Sequence, residues 1–298
     1  MQGAGRSQGA QMIQIVMVKW GRKYSSAYVN GLAREVARHT KSPHRVICYT
    51  DDATGIEPPV EVRAFPEFGV PLAQLTSRGG SLPKMAMFME GQLTPGVETI
   101  YLDLDTSVLG DVARLAACLK ETRGVYFLQR HAVPYWRARG VVDRLAPERY
   151  YLGNTAIMAF YPEDTYPIAN FFLQKYNGYL AGDGSVTEAE RKLFDGGNEL
   201  MVSEKARGLT RVFPRDMAIK FTQEYMSPVL KLAELKNRLP WVAARRARQV
   251  ALTYHGEPLK PERLMEKQVG DLVTSKHHKT IWRYPEISDY WTRVLAAK

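Results

Sequence analysis

Met12-Ile13-Gln14-Ile15-Val16-Met17-Val18 is an apolar run with a single polar interruption, and Lys19-Trp20-Gly21-Arg22 closes it. A run this short reads as a first strand. From Tyr24 to His39, the residues Tyr28, Leu32, Ala33 and Val36 recur at helical spacing, so a helix with one apolar stripe is expected. Arg45-Val46-Ile47-Cys48-Tyr49 reads as a second strand ending in Thr50-Asp51-Asp52, and Val60-Glu61-Val62-Arg63 as a short third. Strand, helix and strand in this order make a βα unit. The expected fold class is therefore α/β, with a mainly parallel, Rossmann-like mixed sheet flanked by helices.

The same alternation continues. Gly69 to Leu82 reads as loop, Lys84 to Gln92 as a helix, Val112 to Lys120 as another, and Gly124 to Gln129 as a strand. His131 to Tyr150 mixes Arg with Tyr and Trp and is expected to be an irregular excursion. Tyr151 to Phe160 returns as a strand, Pro167 to Leu180 as a helix, Ala181 to Ser185 as a Gly/Asp loop, and a further helix starts at Thr187. Beyond 225, Leu232, Leu235, Leu239 and Val242 mark an apolar stripe broken at Pro240, opposite Lys231, Lys236, Arg238, Arg245, Arg246 and Arg248. This pattern predicts a basic helical segment over 227–249 that either packs its apolar side on the domain or docks on an anionic membrane. Gln249 to Tyr254 is expected as a strand running into His255-Gly256.

The 298 residues are 45% hydrophobic and 24% charged, as in ordinary globular proteins with a substantial core. Forty-one basic against 31 acidic residues leave a net charge of +10. That favours anionic partners such as nucleotide diphosphates, nucleic acid or an anionic membrane surface, although a generally basic, soluble face accounts for it equally. Cys48 and Cys118 form neither a disulfide framework nor a zinc pattern and read as small core residues. Residues 1–11, rich in Gly, Gln and Ser, are expected to be disordered and lack the apolar region of a signal peptide. Met12 to Val18 is too short to span a bilayer. The expected compartment is the reducing cytoplasm.

The chemistry concentrates at Thr99-Ile100-Tyr101-Leu102-Asp103-Leu104-Asp105-Thr106-Ser107-Val108, where an apolar strand delivers two carboxylates one residue apart. In extended chain such residues share a face, so Asp103 and Asp105 can converge on one cation. Left unpaired in a core they would cost several kcal/mol. Asp51 and Asp52 fit a turn with Gly55, but the end of a parallel strand is also where ligands bind in open α/β sheets. Asn154 interrupts an apolar strand, which singles it out as a site residue or a buried structural hydrogen-bonder.

In order along the chain, these elements resemble the glycosyltransferases of GT-A architecture, and within them the family 8-like retaining enzymes. The resemblance spans roughly residues 12–265 and is carried by Lys19-Trp20-Gly21, Thr50-Asp51-Asp52, Lys84, Asp103-Leu104-Asp105, Asn154-Thr155-Ala156-Ile157-Met158, Gly197-Asn198-Glu199, and His255-Gly256 with Lys260. It implies a metal-dependent hexosyltransferase acting from a nucleotide diphosphate sugar, foremost a UDP-sugar, onto a glycan or lipid-linked acceptor, with retention. Asp103, Asp105 and His255 would hold Mn²⁺ or Mg²⁺, the imidazole tilting the choice toward Mn²⁺. Lys19, Trp20, Asp51, Lys84, Leu104 and Gly256 would join the two aspartates and Lys260 around the donor, with Lys260 and Lys84 on phosphate oxygens. Asn154, Asn198 and Glu199 would serve the sugar. Many relatives carry Asp where Asn198 stands, so either the amide or Glu199 takes that role here. Under this resemblance 12–265 is the catalytic domain, and 266–298 is an aromatic and basic C-terminal extension. The protein would be cytoplasmic or peripheral on the inner membrane face.

Two other functions fit parts of the sequence. Asp103 to Val108 approximates the first motif of haloacid-dehalogenase-type phosphatases, although Ser107 departs from it and two strands precede it. The Arg-rich 231–248 segment with the aromatic tail would suit a non-catalytic nucleotide-sugar or nucleic-acid binder, but no nucleic-acid motif accompanies it.

Overall fold

The computed structural model describes residues 12–77, 81–130, 151–296 and positions 141, 144 and 145. The expectations for residues 1–11 and for the 131–150 excursion lie outside or almost outside the described residues.

Twelve strands are described: β1 (Ile13–Lys19), β2 (His44–Thr50), β3 (Glu61–Arg63), β4 (Thr99–Leu102), β5 (Thr106–Val108), β6 (Val125–Leu128), β7 (Asn154–Phe160), β8 (Thr210–Val212), β9 (Ala218–Lys220), β10 (Ala251–Thr253), β11 (Leu272–Ser275) and β12 (His278–Ile281). The helices are α1 (Ser26–His39), α2 (Leu72–Thr76), α3 (Ala113–Glu121), α4 (Tyr166–Ala181), α5 (Glu188–Asp195), α6 (Asn198–Lys205), α7 (Phe221–Glu224), α8 (Leu230–Arg238), α9 (Pro240–Arg246), α10 (Pro261–Met265) and α11 (Pro285–Ala296).

The main sheet has the order β3-β2-β1-β4-β7-β6-β8. All its described strands run one way except β7, which is antiparallel to both neighbours. A second sheet, β5-β10-β9, lies beyond the end of β4, and β11-β12 form a hairpin. Alternate residues of β1 serve opposite faces. Ile13, Ile15 and Met17 join the core beneath α1, α3 and α11, and Val16 and Val18 the core beneath α4 to α6. Gln14, the polar interruption, is fully buried and satisfied, donating to Thr94 O and Thr99 Oγ1 at 3.1 Å. Cys48 and Cys118 are buried free thiols, and burial pushes their pKa values up to about 12 and about 11.

Two local expectations differ from the structure. The loop before residue 82 contains the short helix α2, and Leu82–Phe88 is a 3-10 helix started by Pro83 rather than an α-helix to Gln92. In the aromatic and basic segment after residue 265, Trp282 and Trp291 are fully buried in the same core as β1 and α1. Side chains of that size contribute about 3 kcal/mol or more each, which binds the C-terminal segment to the domain.

The second difference concerns 227–249. Leu232, Leu235 and Trp241 are exposed at 51, 52 and 63%, while Arg245 and Arg246 turn inward with Lys236. The physical cause is Glu224, which is wholly buried on α7 and draws guanidinium groups to itself: Arg245 at 2.7 Å and Arg215 at 3.4 Å. A buried carboxylate needs such partners more than leucine side chains need cover. Val242 and Ala233 alone of the apolar residues on α8 and α9 are deeply buried.

Candidate functional site

Parallel strands deliver their carboxyl ends to one edge of the sheet. β2 ends there at Thr50-Asp51, β1 at Lys19-Trp20, β4 at Asp103 and β6 toward Arg130, while the reversed β7 brings its first residue, Asn154, to the same edge. The second sheet covers this edge. In it Thr253 pairs with Thr106 on one side and Lys220 on the other, and the chain then runs into Tyr254 and His255. Between the two lies a cavity of about 520 Å³.

Of the residues singled out from sequence, Trp20, Lys84, Asp103, Leu104, Asp105, Asn154, Asn198, Glu199, His255, Gly256 and Lys260 line it. Lys19 and Asp51 are not among its lining residues. Lys19 is buried and donates to Asp52 O at 3.2 Å, and the Asp51 carboxylate accepts from Gly21 N–H at 3.0 Å, so both hold the strand-end loops.

Asp103 and Asp105 do not share a strand face. β4 stops at Leu102, and Thr106 N–H donates to Asp103 O at 3.0 Å, folding 103–105 into a turn before β5. Each carboxylate then meets its own cation. Lys84 lies 2.7 Å from Asp103 Oδ1, which also accepts from Tyr101 Oη; Lys260 reaches Asp105 Oδ2, which also accepts from Tyr24 Oη at 2.8 Å. Burial holds the Asp103 carboxyl above the usual carboxylate range, with Lys84 opposing it. Lys260 also donates to Tyr24 Oη at 2.7 Å. Burial and the Asp105 charge push the Tyr24 phenol far up, so it stays a donor to that carboxylate.

Glu199 is the third paired carboxylate. One oxygen faces the Arg130 guanidinium and the other accepts from the Asn154 amide. Gly197 precedes it with φ +75°, the left-handed turn that starts α6 and points Asn198 and Glu199 inward. Asn198 donates to Thr155 Oγ1 at 3.3 Å. Gly256 has φ +94°, and a Cβ there would stand 2.8 Å from Ser275 Oγ, so glycine is required where β10 leaves the sheet. Burial, then the nearby Lys276 and Lys220 charges, lower the His255 pKa, which keeps its imidazole neutral near pH 7.

Two carboxylates and a neutral imidazole on one cavity wall are donors whose chemistry fits Mn²⁺. Among the described residues, however, no three His, Cys, Asp or Glu side chains are grouped closely enough to hold one ion. Ammonium groups from Lys84 and Lys260 provide the countercharge in this arrangement. Sequence reasoning missed Tyr24 and Lys220, both of which line the cavity. Tyr24 read only as a helix start, and nothing local marks Lys220.

Several solved structures with the same architecture are glycosyltransferases by description. The WbbM bifunctional glycosyltransferase superposes with a TM-score of 0.55 at 14% identity, over 99% of this chain and 51% of its own. The galactosyltransferase LgtC, solved with donor and acceptor sugar analogues, matches with a TM-score of 0.52 at 13% identity, over 94% of this chain and 96% of its own. The chain has the GT-A fold. GlyE of Streptococcus pneumoniae TIGR4 is similar at a TM-score of 0.51 and 12% identity, over 95% of this chain and 63% of its own. The chain thus spans about half of WbbM but nearly all of LgtC. No protein-family model and no curated protein sequence matches it.

Proposed function

We propose that this protein is a glycosyltransferase that moves a hexose from a nucleotide diphosphate sugar, foremost a UDP-sugar, to a glycan or lipid-linked acceptor with retention. The observation that carries this reading is the cavity at the carboxyl edge of a GT-A sheet, where Asp103, Asp105 and Glu199 each meet a cation. Asp103, Asp105 and His255 would have to draw together, releasing Lys84 and Lys260, to hold Mn²⁺ or Mg²⁺, which would supply charge neutralisation for the diphosphate. Lys84 and Lys260 donate to phosphate oxygens as negative charge grows on the leaving group. Asn154, Asn198 and Glu199 orient the sugar.

Both Glu199 oxygens are engaged, which supports same-face attack over a covalent glycosyl-enzyme. In that step the acceptor oxygen bonds to the anomeric carbon as the carbon–oxygen bond to phosphate breaks. The departing phosphate oxygen takes the acceptor hydroxyl proton. Tyr101 and Lys84 already occupy Asp103 Oδ1, which disfavours the phosphatase alternative with Asp103 as nucleophile. The inward arginines likewise weaken the case for a nucleic-acid ridge along 231–248. No helix among the described residues is long and apolar enough to cross a membrane. The outward Leu232, Leu235 and Trp241, beside Lys231 and Arg238, favour peripheral contact with an anionic membrane carrying the acceptor.

The decisive test is hydrolysis of a panel of nucleotide sugars with and without Mn²⁺, comparing the wild type with Asp105→Ala. The expected result is metal-dependent turnover of one donor, reduced about a hundredfold or more in the variant. Turnover of a simple phosphomonoester instead, or equal rates in both proteins, would falsify the assignment.

A further inference from the structure

Three carboxylates of the cavity have cationic partners, Asp103 with Lys84, Asp105 with Lys260, and Glu199 with Arg130. Two lining lysines have no such partner among the described residues: Lys23, whose ammonium lies over the Tyr24 ring at 5.5 Å, and Lys220 on the opposite side. Lys220, at the end of β9, has no ion pair to any described residue, and its ammonium donates to the backbone Arg130 O at 3.3 Å. A half-buried ammonium with only a carbonyl partner is unfavourable for folding, so its presence at a cavity wall points to an anion that comes and goes.

A second cation stands at the rim. Lys276 begins the two-residue turn of the β11-β12 hairpin and has φ +53°, the one non-glycine positive φ among the described residues. Glycine is the residue that such a turn position favours, and a lysine there stores backbone strain. The hairpin is tied to the cavity because Ser275 Oγ donates to His255 O at 3.0 Å. Lys276 is exposed and without a described ion pair, and it lies within electrostatic range of both Lys220 and His255.

We propose that Lys220 and Lys276 form a subsite for an oxyanion carried by the acceptor, a phosphate or a carboxylate. Position decides for the acceptor. Lys84 and Trp20 face the cavity from the β1 and β4 side, where the nucleotide of the proposed donor would lie. Lys220 stands at the far side, beyond Asn154 and Glu199, against the end of β6. An acceptor reaching the sugar from that side meets Lys220, with the Lys276 charge of the hairpin within electrostatic range of it. The inference rests on the glycosyltransferase reading and adds the charge class of its acceptor.

The test uses the full chain with Mn²⁺, titrated calorimetrically first with UDP and then with sugars that differ only in charge. The pairs are methyl β-glucuronide against methyl β-glucoside, and glucose 6-phosphate against glucose, so that a carboxylate and a phosphate are distinguished. The charged member of at least one pair is expected to bind about tenfold more tightly, the size of one charge-assisted hydrogen bond. Lys220→Gln, which keeps a donor for Arg130 O, should erase that preference while UDP affinity changes less than about twofold. Lys276→Gly should reduce the preference while raising the unfolding midpoint, since glycine relieves the positive φ. Equal binding of charged and neutral sugars overturns the subsite, and variants that lose UDP affinity in parallel assign the lysines to the donor instead. Failure of UDP to bind the wild type overturns the glycosyltransferase reading and this inference with it. UDP binding without charge preference overturns this inference alone.

Discussion

Two clusters of charge in this molecule are built on opposite plans. At the cavity Asp103, Asp105 and Glu199 each have one principal cation and face the open cavity, as Asp105 does with Lys260 and Glu199 with Arg130. On α7 the single carboxylate of Glu224 is wholly buried and gathers Arg215, Arg245 and Arg246, with the Arg246 guanidinium stacked 4.1 Å from the Tyr225 ring centre. The first arrangement can exchange an ammonium for another cation or a ligand, because solvent reaches it. The second cannot, because nothing else can reach Glu224. The difference separates charge placed for chemistry from charge placed for folding, and it holds although both clusters contain strongly interacting pairs.

Breaking the closed cluster should have the largest effect on stability. Glu224→Gln leaves three guanidinium groups without their carboxylate, and removing one partner of a buried pair costs about 3 kcal/mol or more. Urea unfolding should show that loss, with donor hydrolysis per folded molecule retained. A variant as stable as the wild type would mean that solvent already compensates the arginines, and the contrast between the two clusters would collapse.

Lys220 sharpens the contrast through pH. Its pKa is lowered to about 8, first by burial and then by Arg130 just after β6 and Lys276 in the hairpin, with Glu199 on α6 opposing and the neutral His255 just after β10 adjacent. An unfolded lysine titrates near 10.4. Between those values the unfolded chain binds more protons than the folded one, so Lys220 makes stability rise with pH from about 8 upward. Lys220→Met should remove that rise and raise the unfolding free energy at pH 7 by about 1 kcal/mol once solvent screening is allowed for, seen as a higher midpoint. A midpoint that falls in the variant would show that the ammonium is satisfied where it stands, as the cations around Glu224 are.

What could be read along the chain followed how local each cause is. β1, α1 and β2 depend on spacing within a few residues, and Tyr28, Leu32 and Val36 are buried as their periodicity requires. Placing the acidic pair beside the end of β4 needed only the apolar run before it. The turn at 103–105 was not legible, because it exists to let the chain leave one sheet for another at β5, and that second sheet is completed by β10 from nearly 150 residues later. The inward arginines failed for the same reason. Helical periodicity over 230–246 sees leucines and arginines but not Glu224, which precedes the segment and reverses its preferred face. Tyr24 became a site residue only through Asp105 and Lys260, and neither lies near it in sequence.

That reversal leads to the smallest expected effect on folding. Leu235 and Trp241 are more than half exposed, so Leu235→Ser and Trp241→Ser should shift stability by less than about 0.5 kcal/mol, as surface substitutions do. Their effect should fall on a lipid surface instead. Inserting such side chains at an interface gains roughly 1–2 kcal/mol each, so the double variant should bind phosphatidylglycerol vesicles at least about tenfold more weakly in flotation. Lys231→Gln should weaken binding only at low salt, because its attraction to the surface is screened. Vesicle binding that follows salt alone and ignores Leu235 and Trp241 would return the membrane contact to the basic residues, leaving the outward leucines as a mere consequence of satisfying Glu224.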